Sequence, residues 1–271
     1  MFNLNNVTLI FDENPISRAY LNLIVSKNYK IRELIYLGEK YPFPRKIIHF
    51  LKFHRNNYFA IKFLKRKNID YFLNQVEEYF GFKNSFIKNM YQFNNLYKIN
   101  NLTHIKNNKI NSENLIKYIK LSDCEIYINT GRQILKKLLQ TNKKFLHIHP
   151  AYLPTLRGAD GSLHSLDKYN FLASSSFFIN FEIDKGELIF REKKNFSKFR
   201  IKDKNSYSIK DLYNLWFSFV DPLLRTSHLD KLFKGVKSEK NQGFVEKETE
   251  SNYFTFMKEE DLDRVFKKIF E

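Results

Sequence analysis

The chain has 271 residues, 43% of them hydrophobic, which is enough for a packed core in one large domain or in a domain with a small appendage. Its single cysteine, Cys124, excludes an intrachain disulfide and a zinc site built from several cysteines. No run of about 18 apolar residues is present, and the N-terminus lacks the basic start and small-residue cleavage site of a signal peptide. We therefore expect a cytoplasmic protein that has no membrane partner.

The formal net charge of +17 predicts partners that carry negative charge. Most lysines are scattered singly along the chain, however, and only residues 45–67 are locally dense in Lys and Arg. The sequence also lacks the motifs typical of a dedicated nucleic-acid-binding domain. We interpret the charge as a solvated surface around one anion-binding cleft, and a nucleic-acid partner stays open as the alternative.

The N-terminal part of the chain predicts a strand, a helix and a second strand. Residues 7–11 form a short apolar run, and Asn14 and Pro15 are typical of a helix N-cap and first helical residue. The pattern then favours a helix over residues 17–25 and a strand over residues 31–37. This order predicts two parallel strands joined by a crossover helix. The first turn has no G-x-G-x-x-G, so we expect no classical dinucleotide site.

The rest of the chain continues this alternation. Apolar residues three and four apart favour helices between residues 42 and 82, and later over residues 112–121, 208–220 and 261–270. Short apolar runs predict strands at residues 124–129, 145–149, 173–180 and 186–192. Together these elements predict an α/β fold, with a Rossmann-like, mostly parallel sheet over residues 1–200 and a smaller α/β appendage over residues 201–271.

One segment carries the side chains most typical of a reactive site. Residues 145–158 read FLHIHPAYLPTLRG, and Asp184 follows in the sequence IDKGELI. Side chains two apart on a strand project to the same face, so His147 and His149 should lie together. Open α/β sheets bind their ligands at the carboxyl ends of the strands, which is where this pair falls.

The pattern H-x-H-P-x-x-L-P-x-x-R-G, followed by I-D-x-G-x-L-I, resembles the folate-dependent formyltransferases. That family includes the methionyl-tRNA, glycinamide ribonucleotide and sugar N-formyltransferases, and the resemblance extends from about Cys124 to Ile189. It implies a catalytic His at His149 and a catalytic Asp at Asp184. The family's catalytic Asn corresponds to His147, which is a departure from the pattern.

The resemblance also implies a binding site for 10-formyltetrahydrofolate as co-substrate. The sequence INTGRQIL, residues 128–135, is similar to the strand and loop that hold the pterin in the family. The cofactor-binding residues that this implies are Arg132, Gln133, Ile134, Leu135, Phe181 and Ile183. We expect the acceptor to contact Arg157, Gly158 and Asp160, because a planar guanidinium beside a glycine suits a phosphate or carboxylate.

Formyl transfer to an amine requires a hydrogen-bond donor where negative charge develops and a group that receives the proton of the amine. We expect His149 to stabilise the oxyanion and Asp184 to orient His149 and relay the proton. We expect His147 to be the third catalytic residue. The implied acceptor is an amino group on an anionic small molecule, and a nucleotide-linked amino sugar fits this description. An enzyme like methionyl-tRNA formyltransferase stays open, as does a homodimeric assembly.

Two other interpretations apply to the same residues. The ligand types of His147, His149, Asp160, His164 and Asp184 are those of a metal site, which would indicate a metal-dependent hydrolase or deformylase. The two histidines could also be hydrogen-bonded structural residues, with Asp184 as a turn acid. We favour the formyltransferase and expect no bound metal, because the match to that family's pattern also accounts for the neighbouring LPxxRG and DxG residues.

Overall fold

A computed structural model describes residues 3–38, 45–106, 109–131, 133–236 and 252–271, with Arg45 described by its backbone only. The strands are β1 (Val7–Phe11), β2 (Glu33–Gly38), β3 (Leu102–Lys106), β4 (Ile126–Asn129), β5 (Lys144–His149), β6 (Leu156–Gly158), β7 (Phe171–Phe178), β8 (Glu187–Asn195) and β9 (Asn252–Phe254). The α-helices are α1 (Pro15–Ser26), α2 (Arg45–Asn56), α3 (Tyr58–Leu64), α4 (Ile69–Phe80), α5 (Phe86–Met90), α6 (Glu113–Leu121), α7 (Gly161–Tyr169), α8 (Ile209–Leu215), α9 (Asp221–Phe233) and α10 (Glu259–Ile269).

Seven strands form the central sheet in the order β3-β2-β1-β4-β5-β7-β8. The first five of these run parallel to one another. Strand β7 pairs antiparallel with β5, and β8 pairs antiparallel with β7. The predicted Rossmann-like, mostly parallel α/β fold is confirmed. The chain moves outward from β1 through β2 to β3 and then returns to β4 on the other side, which opens a crevice at the carboxyl ends of β1 and β4.

The predicted start of α1 is confirmed in its details. Asn14 is the N-cap, its Oδ1 accepts from the Ser17 N–H at 3.0 Å, and Pro15 opens the helix. The Asn14 amide also donates to the carbonyl oxygens of Asp12 at 2.8 Å and Thr130 at 3.1 Å. The Asn14 side chain therefore caps the helix and, through these two hydrogen bonds, connects the ends of β1 and β4 at the crevice.

The part of the chain after residue 200 packs on the sheet. Ser208 caps α8 in a capping box with Asp211, and a π-helical turn over Trp216–Val220 leads into α9. Helix α9 packs against α1 and against strands β5 and β7. Trp216 is fully buried. The boundary near residue 200 stays a prediction.

Several elements were not predicted from the sequence, and α9 shows why. Its buried residues include polar side chains as well as apolar ones, among them Asp221, Thr226, His228 and Asp230. A helix that is buried on most sides has no single apolar stripe, so its periodicity gives no signal. In the part of the chain that the structure describes, no helix has the length and apolar character needed to cross a bilayer.

Candidate active site

The two histidines of the HIHP segment lie at the carboxyl end of β5, between the parallel strand β4 and the antiparallel strand β7. His149 is buried, and its Nε2 lies 3.2 Å from the Leu156 carbonyl oxygen. A carbonyl can only accept, so Nε2 carries the proton in the neutral ring. The other nitrogen, Nδ1, lies 3.8 Å from Asp184 Oδ2. The ring is thus fixed between β6 and the loop that carries the acid.

Asp184 lies in the bend between β7 and β8 and adopts a left-handed backbone with φ 53°. Its Oδ2 accepts a hydrogen bond from the Gly158 N–H at 2.9 Å. Gly158 has φ 97°, and a Cβ at this position would lie 2.0 Å from the Phe254 carbonyl oxygen. Only glycine fits there, because β9 pairs against β6 at that point. The R-G and D-x-G motifs, far apart in sequence, therefore meet in one contact.

His147 is half-buried two residues before His149. Its Nδ1 lies 3.4 Å from the Asn129 carbonyl oxygen, and its ring stands edge-on to Phe177. Burial lowers the pKa of His147 to about 3, with further lowering by the positive charges of Arg225 and a protonated His149. Burial also lowers the pKa of His149, although the Asp184 carboxylate opposes this. Both imidazoles are therefore neutral at pH 7.

Arg225, on α9, connects the region after residue 200 to the strand that carries the two histidines. Its guanidinium donates to the carbonyl of Ile148, the residue between the two histidines, and its Nε donates to Asp221 at 2.8 Å. Asp221 also accepts from the Ser162 hydroxyl at 3.2 Å, which in turn accepts from the Trp216 indole N–H at 3.0 Å. Arg225 was not predicted as a site residue, because the sequence of α9 lacks a recognisable pattern.

A cavity of about 320 Å³ opens at this end of the sheet. The lining residues that the sequence predicted are Gln133, Ile134, Leu135, His147, His149, Gly158, Asp160, Phe181, Ile183 and Asp184. The lining residues that the sequence did not predict as site residues include Asn14, Asn129, Tyr213, Phe217, Arg225 and Phe256. Arg157 is absent from the lining, and Arg132 lies outside the described residues. The structure thus brings most of the predicted residues to one cavity.

Two segments form an apolar part of the cavity wall. Ile134, Phe181 and Ile183 are 60%, 73% and 48% exposed, while Leu135 is buried. The Ile134 carbonyl accepts from the Asn111 amide at 2.8 Å, which fixes that segment. Such exposed apolar side chains beside polar backbone suit a flat heteroaromatic ligand.

The residues predicted to contact an acceptor differ in their positions. Asp160 is buried, which raises its pKa, and its two oxygens accept from the Tyr213 hydroxyl at 2.9 Å and the Met257 N–H at 3.0 Å. This carboxylate connects α7 to α8 and to the segment before α10. Arg157 lies on β6 opposite Tyr253 and is half-buried.

The ligand set considered for a metal does not come together among the residues that the structure describes. No group of three or more His, Cys, Asp or Glu side chains is close enough there to hold an ion. His164 lies 3.0 Å from the Thr255 carbonyl through its Nε2, and both oxygens of Asp160 have protein donors. The geometry does not favour a metal-dependent hydrolase.

Comparison with known proteins gives matches among solved structures only. No protein-family model matches the chain, and no curated protein sequence matches it. The structure is similar to a sugar N-formyltransferase from Shewanella sp. FDAARGOS_354, at 16% identity and a TM-score of 0.46, over 92% of this chain and 76% of that one. It is also similar to a 4-N formyltransferase from Francisella tularensis, at 14% identity and a TM-score of 0.44, over 94% of this chain and 78% of that one.

A third similar structure is glycinamide ribonucleotide transformylase 1 from Symbiobacterium toebii, at 10% identity and a TM-score of 0.45, over 84% of this chain and 87% of that one. All three are named as formyl-transferring enzymes. This chain shares little sequence with any of them.

The lowered pKa of His147 predicts how stability depends on pH. An unfolded histidine binds a proton near pH 6.5, whereas His147 in the native state stays neutral to about pH 3. Because the unfolded chain binds more protons in this window, His147 makes stability fall as pH falls from 6.5 to 3, by up to about 1.4 kcal/mol per pH unit. In His147→Asn this loss is absent. We expect the free energy of unfolding of the variant, relative to that of the wild type, to increase as the pH falls from 6.5.

Urea denaturation from pH 7 down to pH 4 measures this difference. His54→Asn, which removes an exposed imidazole from α2, is the matched control. Parallel stability curves for wild type and His147→Asn would show that His147 is not held neutral in the native state.

The position of Arg225 predicts an effect on both histidines. Its positive charge lowers the pKa of His147 and of His149, so Arg225→Met should raise both values. NMR titration of the imidazole ring protons measures this, and Arg225→Lys, which keeps the charge, should titrate closer to the wild type. Circular dichroism checks that both variants fold. Unchanged titration of both rings in the folded Met variant would mean that Arg225 does not act on them.

Proposed function

We propose that the chain is an N-formyltransferase that moves a formyl group from 10-formyltetrahydrofolate to an amino group of an anionic small molecule. The observation that supports this most strongly is the placement of His149 against Asp184, with His147 on the same strand, at a single cavity. We further propose that residues 1–200 form the catalytic domain and that residues 201–271 form an appendage that contributes Arg225.

The apolar wall of the cavity fits the co-substrate. Leu135, Phe181 and Ile183 would contact the faces of the pterin, and the polar backbone of residues 133–135 would face its hydrogen-bonding edge. When bound, 10-formyltetrahydrofolate supplies the formyl group, whose oxygen gains negative charge as the amine attacks. The protein must then supply a donor to this oxygen and an acceptor for the proton of the amine.

His149 and Asp184 suit the proton transfer. The Nε2–H of His149 is engaged with the Leu156 carbonyl, which leaves the Nδ1 lone pair as the free acceptor. A proton taken from the amine at Nδ1 would be stabilised by Asp184 Oδ2, 3.8 Å away. It would pass to the folate nitrogen as the bond between that nitrogen and the formyl carbon breaks and tetrahydrofolate leaves. The family pattern predicted His149 as the oxyanion donor, whereas this tautomer favours the role of general base.

The role of donor then passes to His147, which stands where the family pattern has an amide. In the tautomer protonated at Nε2, His147 donates one ring N–H, as an amide would. That tautomer gives up only the contact of Nδ1 with the Asn129 carbonyl, which is long at 3.4 Å. The low pKa of His147 keeps the ring neutral, so this ring does not add a positive charge beside an incoming amine.

Removal of either partner of the His149 and Asp184 pair should lower formyl transfer about a hundredfold or more, the usual effect of losing one preorganised group. The measurement is release of tetrahydrofolate from 10-formyltetrahydrofolate in the presence of a panel of nucleotide-linked amino sugars, for His149→Gln and Asp184→Asn. His54→Gln, an exposed position on α2, is the control. Turnover that persists unchanged in both site variants would refute the assignment.

We propose a nucleotide-linked amino sugar as the acceptor, because the net charge of +17 favours a phosphate-bearing molecule and most lysines are dispersed. Binding of such a molecule should weaken only slightly as salt is raised, since it carries few charges. A transfer RNA would release many counterions and give a steep slope of log affinity against log salt. Calorimetric titration over a range of salt concentrations measures the slope, and a steep one would favour the methionyl-tRNA alternative.

A further inference from the structure

The outward face of α2 carries large apolar side chains. Ile47, Phe50 and Leu51 are 50%, 45% and 62% exposed, and their spacing of three and four residues puts them on one side of the helix. Tyr58 and Phe59, at the start of α3, are 58% and 37% exposed. We call these five residues the α2–α3 patch. Large exposed apolar side chains grouped on neighbouring helices of a folded protein suit a contact site.

The opposite side of α2 already holds the helix on the fold. Phe53 is buried, and Lys52 Nζ donates to Asp12 at 2.9 Å and to the Leu37 carbonyl at 2.8 Å. Asn57, just after the helix, is buried and donates to Glu13 at 2.9 Å. The helix is therefore anchored mainly by its inner face; of the patch residues, Phe50 also stands edge-on to Phe93, with the ring centroids 5.3 Å apart.

The sequence segment that carries the patch has charge of one sign. Residues 45–69 contain no Asp or Glu. The basic residues of this segment are Arg45, Lys46, Lys52, Arg55, Lys62, Lys65, Arg66 and Lys67. Among the side chains that the structure describes, Lys52 pairs with Asp12 and Arg66 with Asp211, while Lys46, Arg55 and Lys62 are exposed. The patch therefore combines apolar side chains with exposed cations.

We propose that the α2–α3 patch binds the surface of an anionic lipid bilayer. Its apolar side chains would enter the boundary between headgroups and acyl chains, and the flanking cations would face the lipid phosphates, as in helices that lie in the membrane interface. Such binding needs no spanning helix and no signal peptide. It thus differs from the sequence-based expectation of no membrane partner, which considered only spanning and targeting segments.

Two other occupants fit the patch less well. A second copy of the chain, packed through the same face, would bring two sets of cations together, and like charges repel. A polynucleotide would neutralise the cations and could stack on Tyr58 and Phe59, but it offers nothing to the aliphatic side chains of Ile47 and Leu51. A bilayer is the partner that uses both the apolar and the cationic side chains. The proposal is independent of the function proposed for the active site.

Co-sedimentation of the full chain with vesicles tests this. We expect binding to vesicles of phosphatidylglycerol mixed with phosphatidylcholine, and little binding to phosphatidylcholine alone. Leu51→Ser should weaken the partition coefficient about tenfold, since burial of a leucine side chain is lost. Lys62→Gln should weaken it about fivefold, the usual effect of one basic residue near an anionic surface.

The matched control is Leu121→Ser, which changes a leucine that is 77% exposed on α6, outside the patch, and should bind like the wild type. Circular dichroism checks folding, which substitutions at exposed positions should preserve. Each of the following results would overturn the proposal: no binding to anionic vesicles, an equal loss in Leu121→Ser, or binding to polyuridylate but not to vesicles, with Leu51→Ser binding polyuridylate as the wild type does. Self-association lost in Leu51→Ser, without vesicle binding, would assign the patch to contact between copies and would also overturn it.

Discussion

The hydrogen bond from the Gly158 N–H to the Asp184 carboxylate connects the parts of the candidate site. It holds the acid beside His149 and so determines which imidazole nitrogen has a partner for an added proton. The bond requires glycine at 158, because β9 passes too close for a side chain. The position of β9 and the electrostatics of His149 are therefore coupled, although their residues lie about 100 positions apart in sequence.

A second close approach completes the loop that carries the acid. A Cβ at Gly186 would lie 1.7 Å from the Phe178 carbonyl oxygen, so the chain returns from β7 to β8 with no room for a side chain. Asp184 adopts a left-handed backbone between these two strands, a conformation that Asp tolerates better than most residues. The D-x-G motif thus has a steric basis, in which the acid occupies the turn and the glycine allows the turn to close.

The sequence predicted the parts of the fold and site that depend on local pattern. The β1 strand, the Asn14 and Pro15 helix start, and the shared face of His147 and His149 follow from propensity and from the two-residue period of a strand. Asn129 and Arg225 were not predicted as site residues, because their place depends on which strands become neighbours and on how α9 docks. That docking is a tertiary outcome, and buried polar residues in α9 mask its periodicity.

The site balances charge in a way that follows from burial. Arg225 brings a positive charge to the strand that carries both histidines, but this charge is already paired with Asp221 and with the Ile148 carbonyl. Burial and this cation lower the pKa of both imidazoles. The Asp184 carboxylate opposes this at both rings: at His149 its influence is second only to burial, whereas at His147 it ranks behind burial, Arg225 and His149. Two chemically identical side chains on one strand thus have different electrostatic surroundings because their neighbours differ.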